Sequence, residues 1–199
     1  SVSLVLKNHN ISPEKIEAVG ISNQRETAAA WDRRTGEPIC NAIVWQCGRA
    51  AKLCEEIQQY ASVVREKTGL NLSPFFSAAK WKWMVRNLPE IKVLQENKNL
   101  CLGTIDSYLI YRLTNQKSFY TDYSNASRTE LLNLDSLGWD EELLDIFELK
   151  KSSLPEIVGS DELFGYTDFG GVLPKQVPIH GVLGDSHAAL FGNACLTAG

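Results

Sequence analysis

The sequence predicts an α/β fold with a mixed sheet and flanking helices, and three features predict it. Strand-like apolar runs alternate with segments of helical periodicity. No internal repeat or low-complexity linker separates them, and 199 residues suffice for one large domain. Hydrophobic residues make up 44% and charged residues 22%, the usage of a chain that folds compactly.

The elements follow in order. The opening Val2-Ser3-Leu4-Val5-Leu6 run has no cap or turn before it, as expected of a piece of a longer protein. It is too short for a signal-peptide core or a bilayer span. Residues 16–22 form an apolar run ending in a polar cluster, and 27–32 lead into the turn-like Arg33-Arg34-Thr35-Gly36. Strands are predicted on both sides of that turn, the second reaching Trp45. Over 49–64, Ala50, Leu53, Cys54, Ile57, Tyr60, Ala61 and Val64 fall on one helical face. Further helices are predicted over 77–87, stopping before Pro89, over 106–113, and from Asp140-Glu141-Glu142 to Phe147. Residues 179–184 read as a buried strand running into Ala188-Ala189-Leu190-Phe191.

A formal net charge of −4 and a pI near 5.5 provide no basic footprint for nucleic acid or an anionic membrane. Small-molecule work in the cytoplasm is the expectation. Cys40, Cys47, Cys54, Cys101 and Cys195 include no C-x-x-C pair and no His at ligand spacing, so neither a disulfide framework nor a zinc site is predicted. The seven-residue recurrence of the first three is read as core packing.

Four segments carry candidate chemistry. In Asn23-Gln24-Arg25-Glu26-Thr27, Arg25 and Glu26 offer a fork of donors and a carboxylate acceptor suited to vicinal hydroxyls; the bland alternative is a surface ion pair. Trp45 ends the run Ile43-Val44-Trp45-Gln46, as the wall of a polyol pocket or as a core residue. In the third segment, Ser73-Pro74 makes a turn before Phe75 and Phe76. Trp81 and Trp83 then stand two apart and so cannot share one helix face. In Gly181-Val182-Leu183-Gly184-Asp185-Ser186-His187 a strand ends in an acid where a helix begins. Asp185 there is either a helix cap or a base for phosphoryl transfer, which needs positioning more than basicity. In open α/β sheets ligands gather at the carboxyl ends of strands, where both Asp185 and the Arg25-Glu26 pair fall.

Taken together these segments resemble the FGGY carbohydrate kinases, closest to the glycerol kinases among them. The matching stretches run in order from Gly20 through Thr27, Ala42 through Gln46, Phe75 through Asn87, Gly103 through Asp106 and Thr121 through Thr129, to Gly184-Asp185 and Ala188 through Gly192. The resemblance implies a kinase of the actin and hexokinase type, with an RNase-H-like core and substrate held between two domains. It implies ATP-dependent phosphorylation of a polyol or sugar hydroxyl, glycerol to glycerol 3-phosphate first among them. Arg25 and Glu26 would then hold the substrate hydroxyls, Trp45 and Phe75 would wall the pocket, Asp185 and Ser186 would contact the substrate as well, and Asp185 would take the proton from the attacking alcohol.

Two positions depart from the family pattern. Phe75 stands where the family usually has Tyr, and Ser186 where it usually has Gln, so a phenol hydroxyl and an amide are missing from the pocket. His187 follows, as a structural residue or a reader of substrate. Residues 1–199 are expected to form most of the substrate-binding N-terminal domain, without its first strands and phosphate hairpin and without the C-terminal nucleotide domain. ATP and Mg2+ are then bound mainly elsewhere in the protein, and the 199 residues alone are expected to turn over nothing measurable. The resemblance also implies a homo-oligomer, dimer or tetramer, at full length. Two other classes stay in competition: a non-catalytic member of the same fold, and a glycosidase with Glu26 and Asp185 as paired carboxylates.

Overall fold

The computed structural model describes residues 2–195 and 197; residues 1, 196, 198 and 199, at the extremes of the expected 1–199 domain, lie outside that description. Helix α1 (Val2–Asn8) occupies the opening apolar run and buries Leu6. Strand β1 (Val19–Asn23) follows, then β2 (Ala29–Asp32). The strand expected after the 33–36 turn is present only as two isolated bridges, Trp31 with Pro38 and Ala28 with Ile43. Pro38 does not cause the interruption: Asp32 N–H donates to the Glu37 carbonyl at 3.1 Å and Ile39 N–H to the Ala30 carbonyl at 3.0 Å, so its nitrogen faces away from β2. Between the two bridges residues 39–42 stand against residues 29–30, and the two extra residues break the register. Strand β2 pairs instead with β3 (Leu100–Gly103), antiparallel, with Ala29 opposite Gly103.

The helix expected over 49–64 is broken. Helix α2 (Ala51–Glu56) passes through a single 3-10 turn at Gln58–Tyr60 into α3 (Ala61–Thr68), which ends on Gly69 at φ 71°. Helix α4 (Ser77–Asn87) has the predicted limits, and α5 (Pro89–Glu96) begins on the proline that ends it. Trp81 is buried and donates from Nε1 to the Ala29 carbonyl at 3.2 Å, whereas Trp83 is half-buried under the Arg49 guanidinium. The two tryptophans thus take different faces, as their spacing requires.

Helix α6 (Ile105–Leu113), strand β4 (Tyr120–Asp122), the single-turn α7 (Tyr123–Ala126) and the short pair β5 (Leu132–Asn133) and β6 (Gly138–Trp139) lead to α8 (Glu141–Ile146). Asp140 caps α8 by accepting from Leu143 N–H, as its acid-rich start suggests. Strands β7 (Glu156–Val158), β8 (Leu163–Thr167) and β9 (Val177–Gly184) precede the final helix α9 (Asp185–Gly192).

Strand β9 is the centre of a three-stranded mixed sheet, parallel to β1 and antiparallel to β8. The register with β1 shifts between Val19, opposite Ile179, and Ile21, opposite Val182. Gly181 lies in the extra stretch at φ 125°, a conformation that needs glycine. The shift sets Asn23 opposite Gly184, so the two parallel strands end side by side. Ile110 of α6 packs on this sheet against Ile21, Phe164, Ile179 and Val182. The larger core lies between β2–β3 and the helices, with Ala28, Leu102, Trp81, Met84, Leu143 and Phe147 among its members.

The core-packing expectation for the first three cysteines fits: Cys54 belongs to the larger core, and Cys40 and Cys47 pack against it. Cys54 and Cys101 are buried, Cys40 and Cys47 half-buried, and Cys195 exposed. Among the described residues no helix is long and apolar enough to cross a membrane.

Candidate functional site

The adjoining ends of β1 and β9 place the first and last candidate segments together. Beyond β1 the chain makes a three-residue turn in which Thr27 N–H donates to the Arg25 carbonyl at 2.7 Å. Glu26, at its centre, has φ 61°, a left-handed conformation that costs a non-glycine residue roughly 1 kcal/mol or more. That turn sends neighbouring side chains to different partners, so Arg25 and Glu26 do not form the surface ion pair considered from the sequence.

Arg25 reaches the start of α9. Its Nε lies 3.6 Å from Asp185 Oδ1, its Nη2 donates to Ser186 Oγ at 3.1 Å, and its Nη1 is 3.4 Å from His187 Nδ1. The Nε is buried without a hydrogen-bond acceptor, leaving one donor of the fork unspent beside an exposed carboxylate. Gly184 is the residue before the helix and Asp185 its first member; Asp185 Oδ1 accepts from Ser186 N–H at 2.8 Å. Asp185 is therefore not the N-cap expected as its bland reading. Its side chain is 56% exposed, open to solvent and to a hydroxyl compound alike.

Glu26 turns the other way and is buried. Its Oε1 accepts from Arg128 Nε at 2.6 Å, and its carbonyl accepts from Ser77 Oγ at 3.1 Å. The Arg128 guanidinium also lies 4.9 Å from the centre of the Phe76 ring, a cation–π distance. Phe76 meets Phe75 edge-on at 5.3 Å, and Phe75 meets Trp45 at 5.5 Å. Trp45 is 38% exposed, so it is no core residue. A continuous chain of contacts thus runs from Trp45 through Phe75, Phe76 and Arg128 to Glu26, and the backbone carries it one residue on to Arg25 and Asp185.

A buried polar cluster holds the strand ends from below. Asn23 and Asn125 exchange side-chain hydrogen bonds at 2.9 and 3.3 Å, and Ser124 Oγ accepts from Gly184 N–H at 2.7 Å. Asp122 caps α7 through Ser124 N–H and Asn125 N–H. Arg128, Ser124 and Asn125 were given no role from the sequence, although all lie in the 121–129 stretch; nothing local signals partners 60 to 102 residues away.

The arrangement links an exposed carboxylate and a guanidinium at the strand ends, through the Glu26 turn and Arg128, to an aromatic group at Trp45, Phe75 and Phe76. A hollow of about 500 Å³ beside α1, lined by Leu6, Ile11, Pro13 and Val172 among others, shares no residue with that arrangement. Among the described residues no group of three or more His, Cys, Asp or Glu side chains is placed to hold a metal ion.

Known proteins share this framework. A model described as the FGGY family of carbohydrate kinases, N-terminal domain, matches residues 1–192. The chain is 49% identical over 197 residues to glycerol kinase 1 of Thermotoga maritima, covering 98% of this chain and 40% of that protein. It is 50% identical over 200 residues to glycerol kinase 2 of Clostridium tetani, with the same coverage. Among solved structures, that of Plasmodium falciparum glycerol kinase with ADP superposes with a TM-score of 0.84 at 39% identity, covering 90% of this chain and 36% of that one. Ligand-bound xylulose kinase from Lactobacillus acidophilus gives 0.82 at 25% identity, covering 96% and 39%. The chain spans about 40% of the length of the curated relatives it matches. The mixed α/β fold is that of the sugar kinases, of the actin and hexokinase type expected from the sequence. With the family model matching residues 1–192 and near-half identity to curated members, this chain belongs to the FGGY family of carbohydrate kinases.

Proposed function

We propose that the protein carrying this chain transfers a phosphoryl group from ATP to a hydroxyl of a small polyol, glycerol to glycerol 3-phosphate first among the candidates. The observation that carries the proposal is the approach of Arg25 to Asp185, 3.6 Å apart at the paired carboxyl ends of two parallel strands. The names of the glycerol kinase relatives support the substrate class, and ADP in the Plasmodium structure's name supports the donor.

Each side chain then has a role. Arg25 donates to a substrate hydroxyl and holds the start of α9 in place. Glu26, fixed by Arg128, accepts from vicinal hydroxyls. Trp45 and Phe75 cover the C–H face of the polyol. Asp185 takes the proton from the attacking oxygen as that oxygen gains the phosphoryl group; the loose transition state asks for position rather than a strong base. Ser186, which accepts from Arg25, orients the guanidinium. ATP, and the Mg2+ that accompanies it, are bound mainly by parts of the protein other than these residues. The same reading makes the chain most of a substrate-binding domain in a cytoplasmic homo-oligomer, dimer or tetramer. A glycosidase pairing of Glu26 with Asp185 fits poorly, because Glu26 is already held in an ion pair with Arg128.

Asp185→Asn tests the proposal in the protein joined to the nucleotide-binding part that its relatives possess. Glycerol-dependent ADP release should fall by roughly a thousandfold or more, an effect of the order seen when a catalytic group is removed, with an unchanged melting temperature. Wild-type-like turnover would rule out Asp185 as the base. A screen of ADP release over glycerol, dihydroxyacetone, tetritols, pentitols and ketoses identifies the substrate.

A further inference from the structure

Two ionisable side chains lie wholly inside the protein behind the aromatic wall, and burial holds the Glu130 carboxyl well above the usual carboxylate range. Lys80, in the first turns of α4, is 0% exposed, and so is Glu130, which has φ 65°. Lys80 Nζ donates to the Phe76 carbonyl at 3.1 Å, to the Glu26 carbonyl at 3.4 Å, and to the Phe75 carbonyl. Glu130 Oε1 accepts from Ser73 N–H at 2.9 Å, while its Oε2 is buried without a partner. One cation therefore ties the Phe75-Phe76 backbone to the strained turn at Glu26, and one carboxyl group anchors the entry to the same segment. Fully buried lysines are rare because dehydrating the ammonium is expensive, and a methionine of similar length would fill the space without that penalty.

We propose that Lys80 and Glu130 are positioning residues for the polyol site, locking the 73–76 segment against the Glu26 turn and so fixing the distance between the aromatic wall and the carboxylate. The inference rests on the kinase proposal above. Neither residue touches substrate; both act through Phe75 and Glu26.

A pH signature follows. Burial pushes the Lys80 amine down to about 8, against the pull of the groups facing it, Glu26, Glu130, Cys47 and Cys54. Above that pH the neutral amine keeps two donors for three carbonyls, and the lock loosens.

The test is steady-state kinetics of the protein with its nucleotide-binding part, using glycerol and ATP, from pH 6.5 to 9.5. In the wild type the glycerol KM should be flat to about pH 7.5 and rise roughly fivefold by pH 9.5, while the ATP KM stays within about twofold. Lys80→Met should raise the glycerol KM roughly tenfold at pH 7 and abolish the further rise. Cys47→Ser, which removes a neighbouring thiol, should leave the rise intact. A glycerol KM that stays flat to pH 9.5 in the wild type overturns the proposal, and this arm needs no variant to fold. So does a Lys80→Met enzyme with an unchanged glycerol KM, or a rise lost in Cys47→Ser. If the wild type phosphorylates no polyol, the kinase proposal has failed instead. The lock is then read by hydrogen exchange at the Ser73 amide, whose protection should be lost in Glu130→Ala and kept in Glu130→Gln; equal protection in both overturns it.

Discussion

Arg128 Nε donates to Glu26 Oε1 at 2.6 Å, joining residues 102 positions apart in the chain. The Glu26 side chain is 7% exposed and that of Arg128 29%. Removing one member of such a pair leaves the other desolvated and unpaired. Arg128→Met should therefore lower the unfolding free energy by about 2 kcal/mol, less than for a fully buried pair because Arg128 keeps some solvent. The urea midpoint measures that loss. The same variant should raise the glycerol KM roughly tenfold, since Glu26 loses the partner that orients it. An unchanged midpoint would show that the pair contributes nothing to the fold.

Gly184 gives Arg25 its path. A methyl added there would fall 2.8 Å from Arg25 Cγ, 3.1 Å from Nε, and closer still to Cδ. Gly184 has φ −58°, so alanine suits the backbone and the conflict is purely one of space. In Gly184→Ala the guanidinium must leave Asp185, Ser186 and His187. Because the displaced atoms belong to a flexible side chain, stability should fall by about 1 kcal/mol or less. Turnover should suffer far more, with kcat/KM for glycerol down roughly a hundredfold. Full activity in a well-folded Gly184→Ala protein would mean that the placement of Arg25 is not what the reaction needs.

The parts of this architecture visible in the sequence are those written in local chemistry. Helix α4 stops where Pro89 demands it, α8 starts on an acid that caps it, and β9 runs into α9 where an apolar strand meets Asp185. The parts that were not visible depend on tertiary packing. No glycine or proline marks the 3-10 turn that divides α2 from α3, and two extra residues within 39–42 break a ladder whose residues still read as strand. The four-residue β3 is too short to show a period. At the site, the types and order of Arg25, Trp45, Phe75 and Asp185 were legible, but the partners of Glu26 and the buried amine of Lys80 were not. Charged residues are expected outside, and only the fold brings Arg128 and Lys80 to the Glu26 turn.

Asp106 should leave a mark on stability between pH 4 and pH 7. Its side chain is wholly buried, accepting from Thr104 Oγ1 at 2.5 Å and Thr121 Oγ1 at 2.7 Å. Burial pushes its pKa up from 3.8 to about 6, with the charge of Asp122 acting in the same direction. The folded state thus keeps a proton that the unfolded chain gives up. The resulting stabilisation is complete below pH 3.8 and is lost as pH rises through about 6. For a shift of about two units this amounts to roughly 3 kcal/mol. Asp106→Asn cannot titrate, and the threonine hydroxyls can turn to accept from its amide. Urea unfolding of both proteins should show the variant gaining on the wild type by about that amount from pH 4 to pH 7. Glu130, also raised by burial, is common to both and cancels in the difference. A difference that does not vary with pH would exclude a buried proton at Asp106.

The cysteines should separate by reactivity, since alkylation goes through the thiolate. Burial pushes the thiols of Cys54 and Cys101 up to about 12 and raises that of Cys40. Cys47 moves the other way: hydrogen bonds from the backbone and side chain of Arg49 favour its thiolate, with Arg49 Nε 3.0 Å from Sγ. Brief treatment with iodoacetamide at pH 7, followed by peptide mass mapping, should find Cys47 labelled ahead of Cys40, with Cys54 and Cys101 unlabelled until the protein is unfolded. The exposed Cys195 provides an accessible reference in the same digest. Arg49→Ala removes the side-chain donor but keeps the backbone one, so Cys47 labelling should slow by roughly threefold while Cys195 keeps its rate. Equal slowing of both would point to a general change in the protein, and an unchanged Cys47 rate would show that the Arg49 side chain does not govern the thiol.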